Sequence, residues 1–216
     1  MNTGAYPLSS ESKLYDLAFW LAIFTIAYNL LEGIVVTLLA FHDETLALFG
    51  FGLDSFIEMI SGIGIMYMIL RIRKNPESAR SGFESTALRV TGFSFYGLVA
   101  LLVITSIINI VTGHKPVTTF WGVIISSVSI LVMLGLIYGK IKVGKKLQSQ
   151  AILADASCTK ICIYMSCVLL ISSGIYELTG FTYADSLGTL GLAWFALQEG
   201  RECFEKAKNQ HLHCCH

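Results

Sequence analysis

The chain has 216 residues, 54% of them hydrophobic and only 14% charged, against roughly 25% charged residues in an ordinary soluble domain. Fifteen basic side chains balance fifteen acidic ones, so no bulk charge draws the chain to nucleic acid or to an acidic partner. The six cysteines fall in or just after apolar stretches, which argues against the disulfide framework of a small secreted domain.

Segments apolar enough to cross ~30 Å of hydrocarbon, at roughly 20 residues each, run about 15–40, 46–70, 87–112, 117–139, 151–173 and 182–199. Ahead of them Met1 to Ser12 is polar and lacks the basic and short apolar regions of a signal peptide, so none is expected. The sequence thus predicts an all-α membrane protein of six transmembrane helices: an N-terminal segment 1–14, a membrane domain 15–200 and a short tail 201–216. The tail is too short for a folded domain, which puts the function in the membrane. Short turns are expected at Phe41 to Thr45, Gly113 to Pro116 and Gly174 to Phe181. The loops on the other side are basic: Arg71, Arg73, Lys74, Arg80, then Lys140, Lys142, Lys145 and Lys146, and finally Arg201, Lys206 and Lys208, against Lys115 alone opposite. Basic residues accumulate on the cytoplasmic side, so both termini are expected there.

Ionisable groups inside spans are costly and mark sites by default. In the first span Thr25, Asn29, Glu32 and Val36 share one helical face with Gly33 beside them. Asn29 and Glu32 either bond a neighbouring helix or line an ion path. The second span carries Asp54 and Glu58 at i and i+4, one turn apart on one face. Two adjacent carboxylates in low dielectric demand a cation or a proton. The competing reading is a pair salt-bridged to Arg89 or Lys160. In the fifth span Asp155, Cys158, Thr159 and Cys162 recur at i, i+3, i+4 and i+7, again one face. Buried cysteine is often only a small hydrophobe, the reading taken for Cys167, whereas the spacing of Cys158 and Cys162 beside a polar face suits ligation. Lys160 points away from that face.

Depth brings the two pairs together. Glu58 lies 12 residues from Leu70 and Cys158 lies 12 residues from Lys146, roughly 18 Å from the cytoplasmic ends of their antiparallel helices. Asp54 is then level with Cys162. Two oxygens and two sulfurs suit tetrahedral Zn²⁺ or a softer ion.

These residues resemble the cation diffusion facilitators, a family of proton-coupled metal exporters. The resemblance rests on Asn29 with Glu32-Gly33, Leu53-Asp54-Ser55 through Glu58, Ala154-Asp155, and Ala184-Asp185-Ser186, in that order along six spans. It implies a cation-efflux-like bundle with a four-ligand intramembrane site at the positions of Asp54, Glu58, Cys158 and Cys162. It further implies a divalent ion as substrate with no other cofactor, protons as counter-ion, a homodimer, and a multi-pass place in the plasma (inner) membrane. Departures from the family pattern are Glu at 58, cysteine at both fifth-span positions, no His-rich stretch between spans four and five, and no soluble C-terminal domain. A short, divergent zinc-transporting branch related to the family has a similar architecture.

Two other readings compete: a membrane thiol-redox enzyme, disfavoured because Cys-x-x-x-Cys is not the Cys-x-x-Cys redox spacing, and a non-transporting adaptor, disfavoured because both carboxylates remain. The tail His211-Leu212-His213-Cys214-Cys215-His216 is chemically a metal-capturing string. It is read either as that or as incidental terminal composition.

Overall fold

The computed structural model describes residues 9–43, 46–74, 80–113, 120–179 and 184–212. They form six helices: α1 (Ser9–Asp43), α2 (Leu46–Lys74), α3 (Arg80–Thr112), α4 (Phe120–Leu147), α5 (Gln150–Thr179) and α6 (Ala184–Leu212). Five, α1 to α5, contain stretches long and apolar enough to cross a membrane. α6 is as long but turns polar after Leu197. The chain is an integral multi-pass membrane protein. Its apolar side chains face outward as well as inward: Trp20, Leu38, Phe93, Val111, Leu131 and Trp194 are all exposed, as expected of a bundle solvated by lipid.

Helices run past the apolar segments that announce them. α1 already contains Phe41 to Asp43, and α5 continues through Gly174 to Thr179, taking in six residues of the expected turn. Gly113, after α3, has φ of 63°, a left-handed conformation that stops the helix without a Cβ penalty; Lys115 and Pro116 lie outside the described residues. The largest shift concerns α4. Its apolar run ends near Gly139, yet the helix continues to Leu147, so Lys140 lies inside it rather than in a loop.

α2 and α5 occupy the middle of the bundle. α2 packs on α1, α3 and α5, while α5 packs on α2, α3, α4 and α6. Small residues permit the close approaches. At Gly33 a Cβ would stand 3.0 Å from the Phe56 ring, and at Gly52 it would stand 2.6 Å from Thr37 Oγ1 and 3.1 Å from the Thr37 backbone nitrogen. α1 and α2 therefore touch nearly backbone to backbone beside Asp54. α6 is held along α3, where Phe204 fits over Gly92 and stacks on Tyr96 at 5.3 Å between ring centroids, and Ser85 Oγ donates to the Ala207 carbonyl at 3.0 Å.

A tight turn fixes α5 against α4. Gln148 adopts a left-handed φ of 50°, its N–H bonding the Lys145 carbonyl at 3.3 Å, while the Ser149 N–H reaches the Gly144 carbonyl at 3.0 Å. These bonds close α4 as a left-handed C-cap does. Ser149 Oγ then caps α5 by accepting from the Ile152 N–H at 3.4 Å. Because the connection is so short, residues at similar distances from it meet across the two helices. Lys140, seven residues before the end of α4, meets Thr159, nine residues after the start of α5.

The packing at Gly52 can be tested directly. Gly52→Val should lower the stability of the detergent-purified protein by about 1–3 kcal/mol through overpacking, seen as a reduced melting midpoint, whereas Gly135→Val, with nothing within 4 Å of its Cβ position, should leave the midpoint nearly unchanged.

Candidate metal centre

Apolar packing divides into two buried clusters. The larger includes Ile65, Met68 and Ile69 of α2 with Leu88, Phe95, Leu98 and Cys158. The smaller gathers Val36, Ala40, Phe51, Met133, Leu136 and Cys162. On α2, Asp54, Ser55, Glu58 and Ser61 fall between Phe51 of one cluster and Ile65 of the other, and all four are essentially inaccessible. A polar layer thus sits between apolar seals, and Cys158 and Cys162 flank it.

Asp54 is 1% exposed and Glu58 fully buried. Asp54 lies within interaction range of the Cys162 thiol. Its Oδ2 has no hydrogen-bond partner, and neither has Glu58 Oε2. Orphaned carboxylate oxygens in a dry interior are costly. The other oxygen of Glu58 is well satisfied: Thr159 Oγ1 donates to Oε1 at 2.5 Å, and Lys140 Nζ stands 3.6 Å away. Cys158 and Cys162 are buried free thiols, and Cys158 lies in the field of Glu58, Asp54, Asp155 and Lys140. The residues expected to meet from α2 and α5 are therefore neighbours. As the side chains stand, no three His, Cys, Asp or Glu groups among the described residues converge tightly enough to hold an ion.

Sequence reasoning missed Lys140. It is 2% exposed, with Nζ 2.8 Å from Asp155 Oδ2 and 2.8 Å from Thr159 Oγ1, to which it donates. The cytoplasmic loop expected at this position does not exist, because α4 carries Lys140 seven residues inward from Leu147, roughly 10 Å. The signal was helical phase. Lys142, Lys145 and Lys146 lie roughly 140–240° around the helix from Lys140, and all three are exposed while Lys140 is buried. The suggested partners of the α2 carboxylates fail in turn. Arg89 is exposed, and so is Lys160, whose ammonium sits 6.0 Å over the Tyr164 ring.

Asp155 is engaged through both oxygens. Oδ2 pairs with Lys140, and Oδ1 accepts from Ser61 Oγ at 2.7 Å. With the Ser61 proton so used, the contact of 3.1 Å between Ser61 and Thr91 hydroxyls makes Thr91 the donor. Ser61 and Thr91 had no place in the sequence-derived site.

The polar face of α1 forms a second group. Tyr28 OH donates to Glu32 Oε1 and Ser55 Oγ to Glu32 Oε2, both at 3.0 Å, so this carboxylate ties α1 to α2. Asn29 Nδ2 donates back to the Thr25 carbonyl at 3.0 Å, while Asn29 Oδ1 and Thr25 Oγ1 are buried without partners. In the tail, His211 falls in the last turn of α6. His213, Cys214, Cys215 and His216 lie outside the described residues.

A membrane-spanning helical bundle with carboxylates, thiols and one ammonium sealed at its centre is the architecture of a cation-transport domain. The chain matches the model of the cation efflux transmembrane domain over residues 18–209, and it belongs to that family. Members of the family are transporters rather than enzymes. No curated protein matches the chain.

Because Asp155 balances Lys140, Asp155→Asn should destabilise the protein by about 3–5 kcal/mol, the cost of breaking a buried ion pair. Melting of the purified variant measures it. A variant with unchanged melting but weakened ion binding would instead place Asp155 in the ion's own shell.

Proposed function

We propose that the chain exports a divalent metal ion, Zn²⁺ or a softer ion such as Cd²⁺ or Hg²⁺, in exchange for protons, and that the ion binds at Asp54, Glu58, Cys158 and Cys162. The observation that carries this reading is the pair of orphaned, buried carboxylate oxygens, Asp54 Oδ2 and Glu58 Oε2, beside two buried free thiols. Charge supports it as well. When ionised, Asp54, Glu58 and Asp155 together exceed the single ammonium of Lys140 by two negative charges, so the carboxylates alone already attract a divalent cation. In this reading both termini face the cytoplasm and export is outward across the plasma (inner) membrane, as a homodimer.

Thiols supply the proton coupling. A thiol ligates as thiolate, so loading the ion displaces protons from Cys158 and Cys162, and returning protons release the ion on the far side. Thiolates also select: soft and borderline ions gain over Mg²⁺ and Mn²⁺.

Asp54→Ala should abolish metal uptake into proteoliposomes while the protein remains inserted, purifies normally and melts close to wild type. Uptake at the wild-type rate would remove Asp54 from the site. On purified wild type, competition should rank Zn²⁺, Cd²⁺ and Hg²⁺ far ahead of Mn²⁺ and Mg²⁺. Cys158→His with Cys162→Asp should weaken the preference for Cd²⁺ and lower the number of protons released on loading, counted by calorimetry in buffers of different ionisation enthalpy. An unchanged ranking and proton count would make the two cysteines bystanders.

A further inference from the structure

Beside the thiols the polar layer has a second half made of oxygen. Asp155 Oδ2, Thr159 Oγ1 and Glu58 Oε1 surround Lys140 Nζ at 2.8, 2.8 and 3.6 Å, and Ser61 backs Asp155 from behind at 2.7 Å. Two carboxylates and a hydroxyl around one point are the donor set of a hard cation, the kind that Mg²⁺, Mn²⁺ or Ca²⁺ takes from a protein. Here a cation already stands at that point, and it is covalently part of α4.

We propose that Lys140 is a tethered counter-cation that denies this oxygen-lined half to the transported ion, and so acts as a specificity-determining residue for soft metals. The inference rests on the metal-transport reading above. The ammonium has three N–H donors and no acceptor. Two of them point at Asp155 and Thr159 at full hydrogen-bond distance, and the third side faces Glu58. Thr159 accepts from Lys140 and donates its own hydroxyl hydrogen bond to Glu58 Oε1. The oxygens attractive to a hard ion are thereby spent on the lysine. What stays open is Asp54 Oδ2, Glu58 Oε2 and the two thiols, a set with more sulfur character than the whole layer. A fixed positive charge here also repels a second cation, which limits the centre to one ion. Its role is that of a fixed charge and needs no change in its protonation.

The test compares binding of Cd²⁺ and Mn²⁺ to purified protein, for wild type, Lys140→Gln, Lys140→Gln with Asp155→Asn, and Cys158→Ser with Cys162→Ser. Lys140→Gln frees the oxygens of Asp155 and Thr159 for a hard ion, so affinity for Mn²⁺ relative to Cd²⁺ should rise by about tenfold or more, while loss of the positive charge raises the affinity of both ions alike. The double variant keeps the net charge, and so protects the fold if Lys140→Gln alone leaves Asp155 uncompensated. Its Mn²⁺ to Cd²⁺ affinity ratio should lie above wild type and below Lys140→Gln. A ratio equal to wild type in whichever of the two variants melts cooperatively would overturn the role of Lys140. The serine variant separates that failure from failure of the transport reading: Cd²⁺ affinity that ignores loss of both thiols sinks the metal site itself, whereas cysteine-dependent Cd²⁺ binding with an unmoved ratio sinks only the lysine.

Discussion

One buried ammonium organises the centre of this bundle. Taking a lysine out of water costs several kcal/mol unless its charge is paired and its protons are bonded, and Lys140 meets both demands only when three helices are in register: α4 supplies it, α5 supplies Asp155 and Thr159, and α2 supplies Glu58. Ser61 of α2 completes the tie by holding the far oxygen of Asp155. The tight turn at Gln148 and Ser149 makes this register nearly automatic for α4 and α5. α2 is placed by close packing against α1 at Gly33 and Gly52. Breaking the tie would leave buried charge on all three helices at once.

Around that tie the chain separates two kinds of cohesion. Apolar packing closes the layer from either side, with Cys158 joining one cluster and Cys162 the other. Hydrogen bonds stitch helix to helix inside it: Glu32 joins α1 to α2, and Asp155 joins α2, α4 and α5. In lipid, apolar contact between helices carries little driving force, so small residues and polar stitches decide which faces meet. This explains why the carboxylates buried in the central layer, on α1, α2 and α5, face inward, while the outward faces of the same helices carry Leu38, Ile60 and Tyr164.

The sequence made the helices and one half of the centre legible, for a simple reason. The i, i+4 spacing of Asp54 with Glu58, and of Cys158 with Cys162, is a property of one helix, and matching depth on antiparallel helices needs only a count of residues. The partner cation was hidden because Lys140 lies at the seam between an apolar run and three further lysines, where local charge imitates a loop. Only the continuation of α4 to Leu147 turns it inward. Ser61 and Thr91 were hidden differently. A lone serine or threonine in a span bonds its own helix in most settings, as Ser94, Thr105 and Ser127 do here, and nothing in sequence distinguishes the one that reaches a carboxylate on another helix. Asp155 was visible as a polar group in a span, but its bonding was not, since its neighbours come from α2 and α4.

Glu58 belongs to both halves of the layer, and that shared position links ion binding to the fold. One of its oxygens closes the Lys140 and Thr159 network while the other has no hydrogen-bond partner. In the proposed reading an ion drawing on Oε2 withdraws electron density from the same carboxylate that accepts from Thr159, and any rotation of Glu58 toward the thiols lengthens its contact with α4 and α5. Ligand binding shifts a conformational equilibrium only through interactions that differ between the states. Glu58 supplies such a difference: with it drawn to the ion, α2 is tied to α5 through metal and thiolate, and with it returned to Thr159, α2 is tied through a hydrogen bond and the lysine. Both ties run through Glu58 and meet α5 at neighbouring residues, so in the proposed reading exchanging them alters the relation of α2 to α5 at the centre of the bundle, where alternating access to the two membrane faces would originate.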